Sequence, residues 1–144
     1  MTEKEERLIY IYSMANRRPA QTGLSVNIWI DEKQGYKQAG HWKRIKFQLN
    51  RGKRCANQPE ASMDLNGKVV EDTFNKNVCE ISKKEIREVS NFVKNNQYAL
   101  DKVADEDIFM DQFDDVMIKG GKPASKNEIE LQKIMVDQFI EWND

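Results

Sequence analysis

Two short quartets divide this chain. Ser82-Lys83-Lys84-Glu85 and Ser125-Lys126-Asn127-Glu128 both read as capping boxes. In such a box the serine accepts from the N3 amide and the glutamate reaches back to the N-cap amide, so a helix starts there. Apolar residues at helical spacing follow each box: Ile86, Val89, Val93, Leu100 and Val103 after the first, and Ile129, Leu131, Ile134, Met135, Phe139, Ile140 and Trp142 after the second. Between them, Ile108, Phe109, Phe113, Val116 and Met117 form a third helical segment. Gly120-Gly121 stops it and Pro123 lies just beyond.

Before Ser82 the period changes to two. Leu24, Val26, Ile28 and Ile30 alternate with Ser25, Asn27, Trp29 and Asp31. Ile45, Phe47 and Leu49 alternate with Arg44, Lys46, Gln48 and Asn50. These predict an antiparallel hairpin, with Glu32 to His41 as a long polar tip punctuated by Gly35 and Gly40. Leu8 to Tyr12 reads as an earlier strand. Met63-Asp64-Leu65 before Asn66-Gly67 predicts a type I′ hairpin returning through Val69-Val70. Val78 to Ile81 reads as a last short strand. The expected fold class is α+β: an antiparallel β-meander of about 4–5 strands in the N-terminal half, then about three helices packed on one face. A single domain over 1–144 is expected, 1–81 mainly strands and 82–144 mainly helices. There is no internal repeat.

The net charge of −1 hides a division. Residues 1–60 carry 12 Lys and Arg against 6 Asp and Glu, and residues 61–144 carry 11 against 18. Residues 17–54 hold ten basic residues against Asp31 and Glu32 alone, and 101–115 hold seven acidic residues against Lys102. Such asymmetry suits a face that meets an anion or an acidic partner. Two regions neutralising each other within one fold is the structural alternative.

The basic stretch carries the first candidate site. Arg44 and Lys46 share the non-core parity of one strand with Trp42, and the next loop adds Arg51, Lys53 and Arg54. Cations beside a planar ring are what phosphates and stacked bases require. Trp29 and Asn27 have the parity to join this face. An ordinary solvated face is the alternative, since no RNP, KH or helix-turn-helix signature is present. The second candidate is acidic. Asp107, Asp111, Asp114 and Asp115 would form one stripe along a helix, able to imitate a phosphate backbone, or serving only solubility. The third is the broad apolar face of the last helix around Phe139 and Trp142, expected to pack within the fold or to meet a homodimer mate or another partner.

Catalysis has little to stand on. His41 is the single imidazole, and Cys55 and Cys79 lack a CxxC spacing, which excludes a zinc finger and a disulfide framework. Both cysteines are expected to sit reduced, Cys79 in a strand and Cys55 in a loop, with His41 a loop residue near Trp42. No phosphate-cradling glycine loop and no nucleophile elbow occurs. Asp31-Glu32-Lys33 resembles half of a metal-dependent nuclease motif, with Glu3, Glu5 or Glu6 as its acidic complement, though a turn uses such residues equally well. Asp64-Leu65-Asn66-Gly67 and the acidic stripe both lack the ligand series of an EF-hand. No apolar run approaches the ~18 residues that span a bilayer, and MTEKEER is too polar for a signal peptide.

The expectation is a small, non-enzymatic, cytoplasmic interaction or regulatory protein with no metal and no cofactor. It would bind nucleic acid, or a nucleic-acid-handling protein, through charged surfaces. The alternative is a phage or mobile-element inhibitor of the anti-restriction or anti-CRISPR type, holding a protein partner by its acidic stripe or C-terminal helix. Size and charge alone suggest that class.

Overall fold

The computed structural model describes residues 14–52 and 58–144. The expected strand at Leu8 to Tyr12, the carboxylates Glu3, Glu5 and Glu6, and Lys53, Arg54 and Cys55 lie outside the described residues.

Four strands form one antiparallel sheet in sequence order: β1 (Met14–Arg17), β2 (Ile28–Asp31), β3 (Arg44–Gln48) and β4 (Glu60–Asp64). The register sets Ala15, Ile30, Ile45 and Met63 in one row, and Ile28, Phe47 and Ala61 in the next. Alternate residues share a face, so these rows bury one side of the sheet. The helices cover it. The core joins this side to Val89, Phe92 and Val93, to Leu100 and Val103, and to Phe113 and Val136. The fold is therefore α+β, a meander followed by helices.

Two short helices interrupt the first half, α1 (Pro19–Thr22) and α2 (Gly35–Ala39). Four follow in the second half: α3 (Lys83–Asn95), α4 (Gln97–Ala104), α5 (Met110–Val116) and α6 (Lys126–Asn143). Both capping boxes form as expected. Ser82 Oγ accepts from the Glu85 amide at 3.1 Å and Ser125 Oγ from the Glu128 amide at 3.2 Å. Each glutamate accepts in turn from its serine's amide, at 3.0 and 3.3 Å.

Several local expectations are corrected. The Glu32–His41 tip contains α2, because Tyr36 buries its ring and places its hydroxyl on Asp105, while the Gln34 amide donates to Ala104 O at 2.8 Å. The segment from Ser82 breaks at Asn96 into α3 and α4, so four helices rather than three occupy the second half. At Asn66-Gly67 only Gly67 has positive φ, +80°, so the turn is not type I′, which needs two such residues. Asp64 Oδ1 accepts from the Asn66 and Lys68 amides instead, at 2.9 and 3.0 Å. A Cβ at Gly67 would also stand 2.6 Å from Ser90 Oγ. The return strand shrinks to one bridge, Met63 to Val69. Val78 to Ile81 is not a strand. 3₁₀ turns at Glu71–Thr73 and Lys76–Val78 carry the chain there, and Cys79 follows the second with its thiol half-buried against Ile81 O.

Candidate functional site

The basic strand is largely engaged with the fold itself. Lys46 lies opposite Trp29 and Ser62 on the side of the sheet away from the core, as parity required, and it pairs with Glu60 at 3.4 Å. Arg51 is clamped to Glu85 at 2.7 Å. Glu85 also accepts from Ser25 Oγ, so one carboxylate joins the start of α3 to two loops. The Ser82 amide, then the Ser25 and Arg51 donors, hold the Glu85 carboxyl down at about 2 against the opposing effect of burial. Asn27 and Gln48 do not face outward together. Both are buried, and Asn27 Nδ2 donates to Gln48 Oε1 at 2.8 Å.

Arg44 is half-buried, and the register extends it alongside Asp31. Asp31 is 2% exposed, and the nearby Arg44 and Tyr36 amides fall short of hydrogen-bonding geometry with either carboxylate oxygen. Burial pushes its pKa up to about 7, against the lowering effects of the Arg44 and Tyr36 amides and the Arg44 and Lys43 charges. Lys33, its partner in the nuclease-like triplet, is exposed.

Trp42 precedes β3 and belongs to a different neighbourhood from Lys46. Its ring meets Tyr36 edge-on at 5.4 Å, and Lys43 Nζ sits 5.0 Å from its centroid. Lys43 is buried, bonded to Asp101 at 2.7 Å and to Asp105 at 2.5 Å. Burial would lower the lysine, yet the two carboxylates outweigh it and its pKa is raised. Asp105 is correspondingly lowered, since Lys43 and Tyr36 overcome the effect of burial. Burial and the bond to Asp105 push Tyr36 up to about 12. Lys43 is one of the ten basic residues of 17–54. It is the centre of an ion cluster joining β3 to α4. His41 lies in the loop before Trp42 and bonds Trp42 O through Nδ1 at 2.7 Å.

Trp42 also lines a cavity of about 750 Å³ with Leu65, Tyr98, Ile129, Lys94, Lys133 and Gln132. Tyr98 hydrogen-bonds Asp137 on α6, and that bond, with burial, pushes it up to about 12. None of these partners of Trp42 was legible as a site, because they come from four separate segments.

The acidic stripe is split. Asp107 falls in the turn after α4, so it does not share a helix with Asp111, Asp114 and Asp115, which lie on α5. All four are exposed. Asp114 is bound to Arg17 of β1 at 2.7 Å, joining basic and acidic regions within the fold. Asp115 lines a shallow groove of about 340 Å³ with Met117, Leu131 and Met135.

The apolar face of α6 divides as its breadth implied. Val136 and Gln132 are buried, and Phe139 and Ile140 pack partly against the core. Trp142 packs edge-on against Phe139 at 5.5 Å. Leu131, Ile134 and Trp142 stay outside, 58%, 51% and 71% exposed. Among the described residues no group of three His, Cys, Asp or Glu side chains is placed to hold a metal ion, and no helix is long and apolar enough to cross a membrane. No family model, curated protein or solved structure matches the chain.

Proposed function

We propose that this protein is a non-catalytic interaction module whose C-terminal helix docks a basic, amphipathic helix of a partner protein. The observation that carries this reading is the unpartnered stripe on α6. Leu131, Ile134 and Trp142 recur at offsets of 3 and 11, which is one helix face, with the partly buried Met135 at its edge. Large exposed apolar side chains grouped in this way mark interaction surfaces. α6 has 18 residues and is therefore about 27 Å long, enough to seat several turns of a partner helix.

The rim sets the sign of the partner. Glu130 and Asp137 lie one turn either side of Ile134. Glu128 precedes Leu131 by one turn, Glu141 adjoins Trp142, and all four are exposed. Asp115 extends this rim across the groove. Lys126 and Lys133 lie one turn from Glu130 and Asp137 on a shared face, and Asp137 accepts from Tyr98, so the acidic excess beside the stripe rests on Glu128, Glu141 and Asp115. A second copy would set acidic rim against acidic rim, a repulsive arrangement, whereas a basic helix meets complementary charge. Proteins that handle nucleic acid carry such basic surfaces, so an inhibitor or regulator of one suits this face. Direct nucleic-acid binding through the sheet has less to draw on, because Lys46 and Arg51 already have carboxylate partners within the chain.

Affinity capture from the native host, with and without nuclease, tests the reading. One protein should survive nuclease, cross-link to α6 through a basic helical segment, and be lost with the triple variant Leu131→Ser, Ile134→Ser, Trp142→Ser. Capture that disappears on nuclease treatment, or persists in that variant, overturns it. So does a stable homodimer that the variant dissolves.

A further inference from the structure

We propose that the cavity between Trp42, Tyr98 and Gln132 binds a nucleoside monophosphate, a flat heterocycle with N–H donors and an anionic phosphate. This site is separate from the exposed stripe of α6. Its volume of about 750 Å³ falls within the range of small-ligand pockets.

The argument rests on which lining groups are already spent. Asp64 accepts from the Asn66 and Lys68 amides, and Asp101 is bonded to Lys43 and lies 3.7 Å from Lys102. Asn95 donates to Lys122 O and accepts from the Ala124 amide. Both acids and one amide are therefore committed to the fold. Lys94 and Lys133 are not: both are exposed, and among the described residues neither has an ion pair. The uncommitted charge of the lining is positive, which suits a phosphate.

The second observation is an orphaned acceptor. Gln132 is 3% exposed and lines both this cavity and the groove beside Asp115, and its Oε1 has no hydrogen-bond partner. Its Nε2 fixes the amide orientation by donating to Asn96 Oδ1 and Val116 O, at 2.7 and 3.2 Å. A buried carbonyl without a donor is costly, and a ligand N–H would relieve it. The third is Trp42, which lines the cavity and remains 69% exposed. Its indole is held by Tyr36 and Lys43, so a platform for stacking is set before any ligand arrives. A heterocycle on Trp42, an N–H toward Gln132 and a phosphate between Lys94 and Lys133 use every uncommitted group named here.

Titration of the whole chain with AMP, adenosine and inorganic phosphate, followed by NMR and calorimetry, decides the matter. AMP is expected to bind saturably, to shift the Trp42 indole and the Gln132 side-chain amide, and to bind tighter than adenosine or phosphate. Lys94→Ala and Lys133→Ala, both at exposed positions, should each weaken AMP by about tenfold, and Trp42→Ala should abolish the stacking shift. No saturation by AMP, GMP or CMP at millimolar concentration overturns the proposal. Phosphate binding as tightly as AMP overturns it too, as does AMP affinity unchanged in all three variants.

Discussion

Gln132 Nε2 donates to Asn96 Oδ1 across 2.7 Å, tying the middle of α6 to the joint between α3 and α4. Asn96 is fully buried. Its Nδ2 donates to Phe92 O and Ile118 O, and its Oδ1 also accepts from the Ile118 amide. One side chain thus satisfies backbone groups left by the helix break and by the loop after α5. Asn96→Ala strands several buried donors and acceptors, each worth about 1–3 kcal/mol, so a loss of roughly 4 kcal/mol is expected in urea unfolding. Gln132→Leu removes two donor bonds but also the orphaned Oε1, so it should cost only about 1 kcal/mol. Equal losses for the two variants would refute this account of the joint.

Asp31 makes stability fall as pH rises. Its folded pKa of about 7 stands above the ordinary value of 3.8. An acid raised in the fold favours folding while protonated. The contribution is complete below about 4 and is lost as pH climbs through 7. Three units correspond to about 4 kcal/mol as an upper figure. Asp31→Asn should be more stable than the parent at pH 8 and closely matched at pH 4, less whatever attraction Arg44 loses. Denaturant midpoints at the two pH values measure this. A variant destabilised at both would sink the assignment.

Glu85 behaves in the opposite sense. Its carboxyl is held down at about 2, so its stabilisation is present above about 4 and disappears as pH falls toward 2. Arg51 is well exposed while the Glu85 side chain is not, which limits the pair to about 0.5–1 kcal/mol. Arg51→Ala and Glu85→Gln should each reduce stability, and their double variant should lose less than the two losses combined. Strict additivity in a double-mutant cycle would show that Arg51 is free for other partners.

The strands and the two long helix starts were legible because each rests on local chemistry. Alternation at Ile28 and Ile30 and at Ile45 and Phe47 fixes a buried face, and Ser82 and Ser125 reach no farther than their own glutamates. What escaped notice depends on distant partners. Leu100 and Val103 continue the spacing of Val89 and Val93, so nothing local announces the break at Asn96, whose side chain answers to Ile118 and Gln132. Tyr36 sits in a polar stretch, and what holds α2 is distant: Asp105 receives its hydroxyl and Ala104 O the Gln34 amide. The exposed portion of α6 was readable as excess apolar breadth. The cavity was not, because Gln132 occupies what looks like an ordinary polar helix position and Trp42 meets it from a different layer.

Lys43 supplies the last test. It is buried with two carboxylates, Asp101 and Asp105, and its Nζ lies within 5.5 Å of the Tyr36 centroid. Its carboxylate partners are about a third exposed, so removing the cation leaves partly solvated charge and costs about 1–3 kcal/mol. Lys43→Met keeps the aliphatic stem, so the loss at pH 7 is expected near the lower end. Acid should reverse the comparison in part. In the parent, Asp105 is lowered by Lys43 and Tyr36, so its stabilisation is lost as pH falls through that lowered value. In Lys43→Met the same carboxyl has lost its cation and faces Asp101, so protonation relieves repulsion and adds stability. The gap between parent and variant should therefore narrow steadily from pH 7 to pH 3. Unfolding curves across that range measure it, and a gap that stays constant or widens would show that Lys43 acts by packing alone.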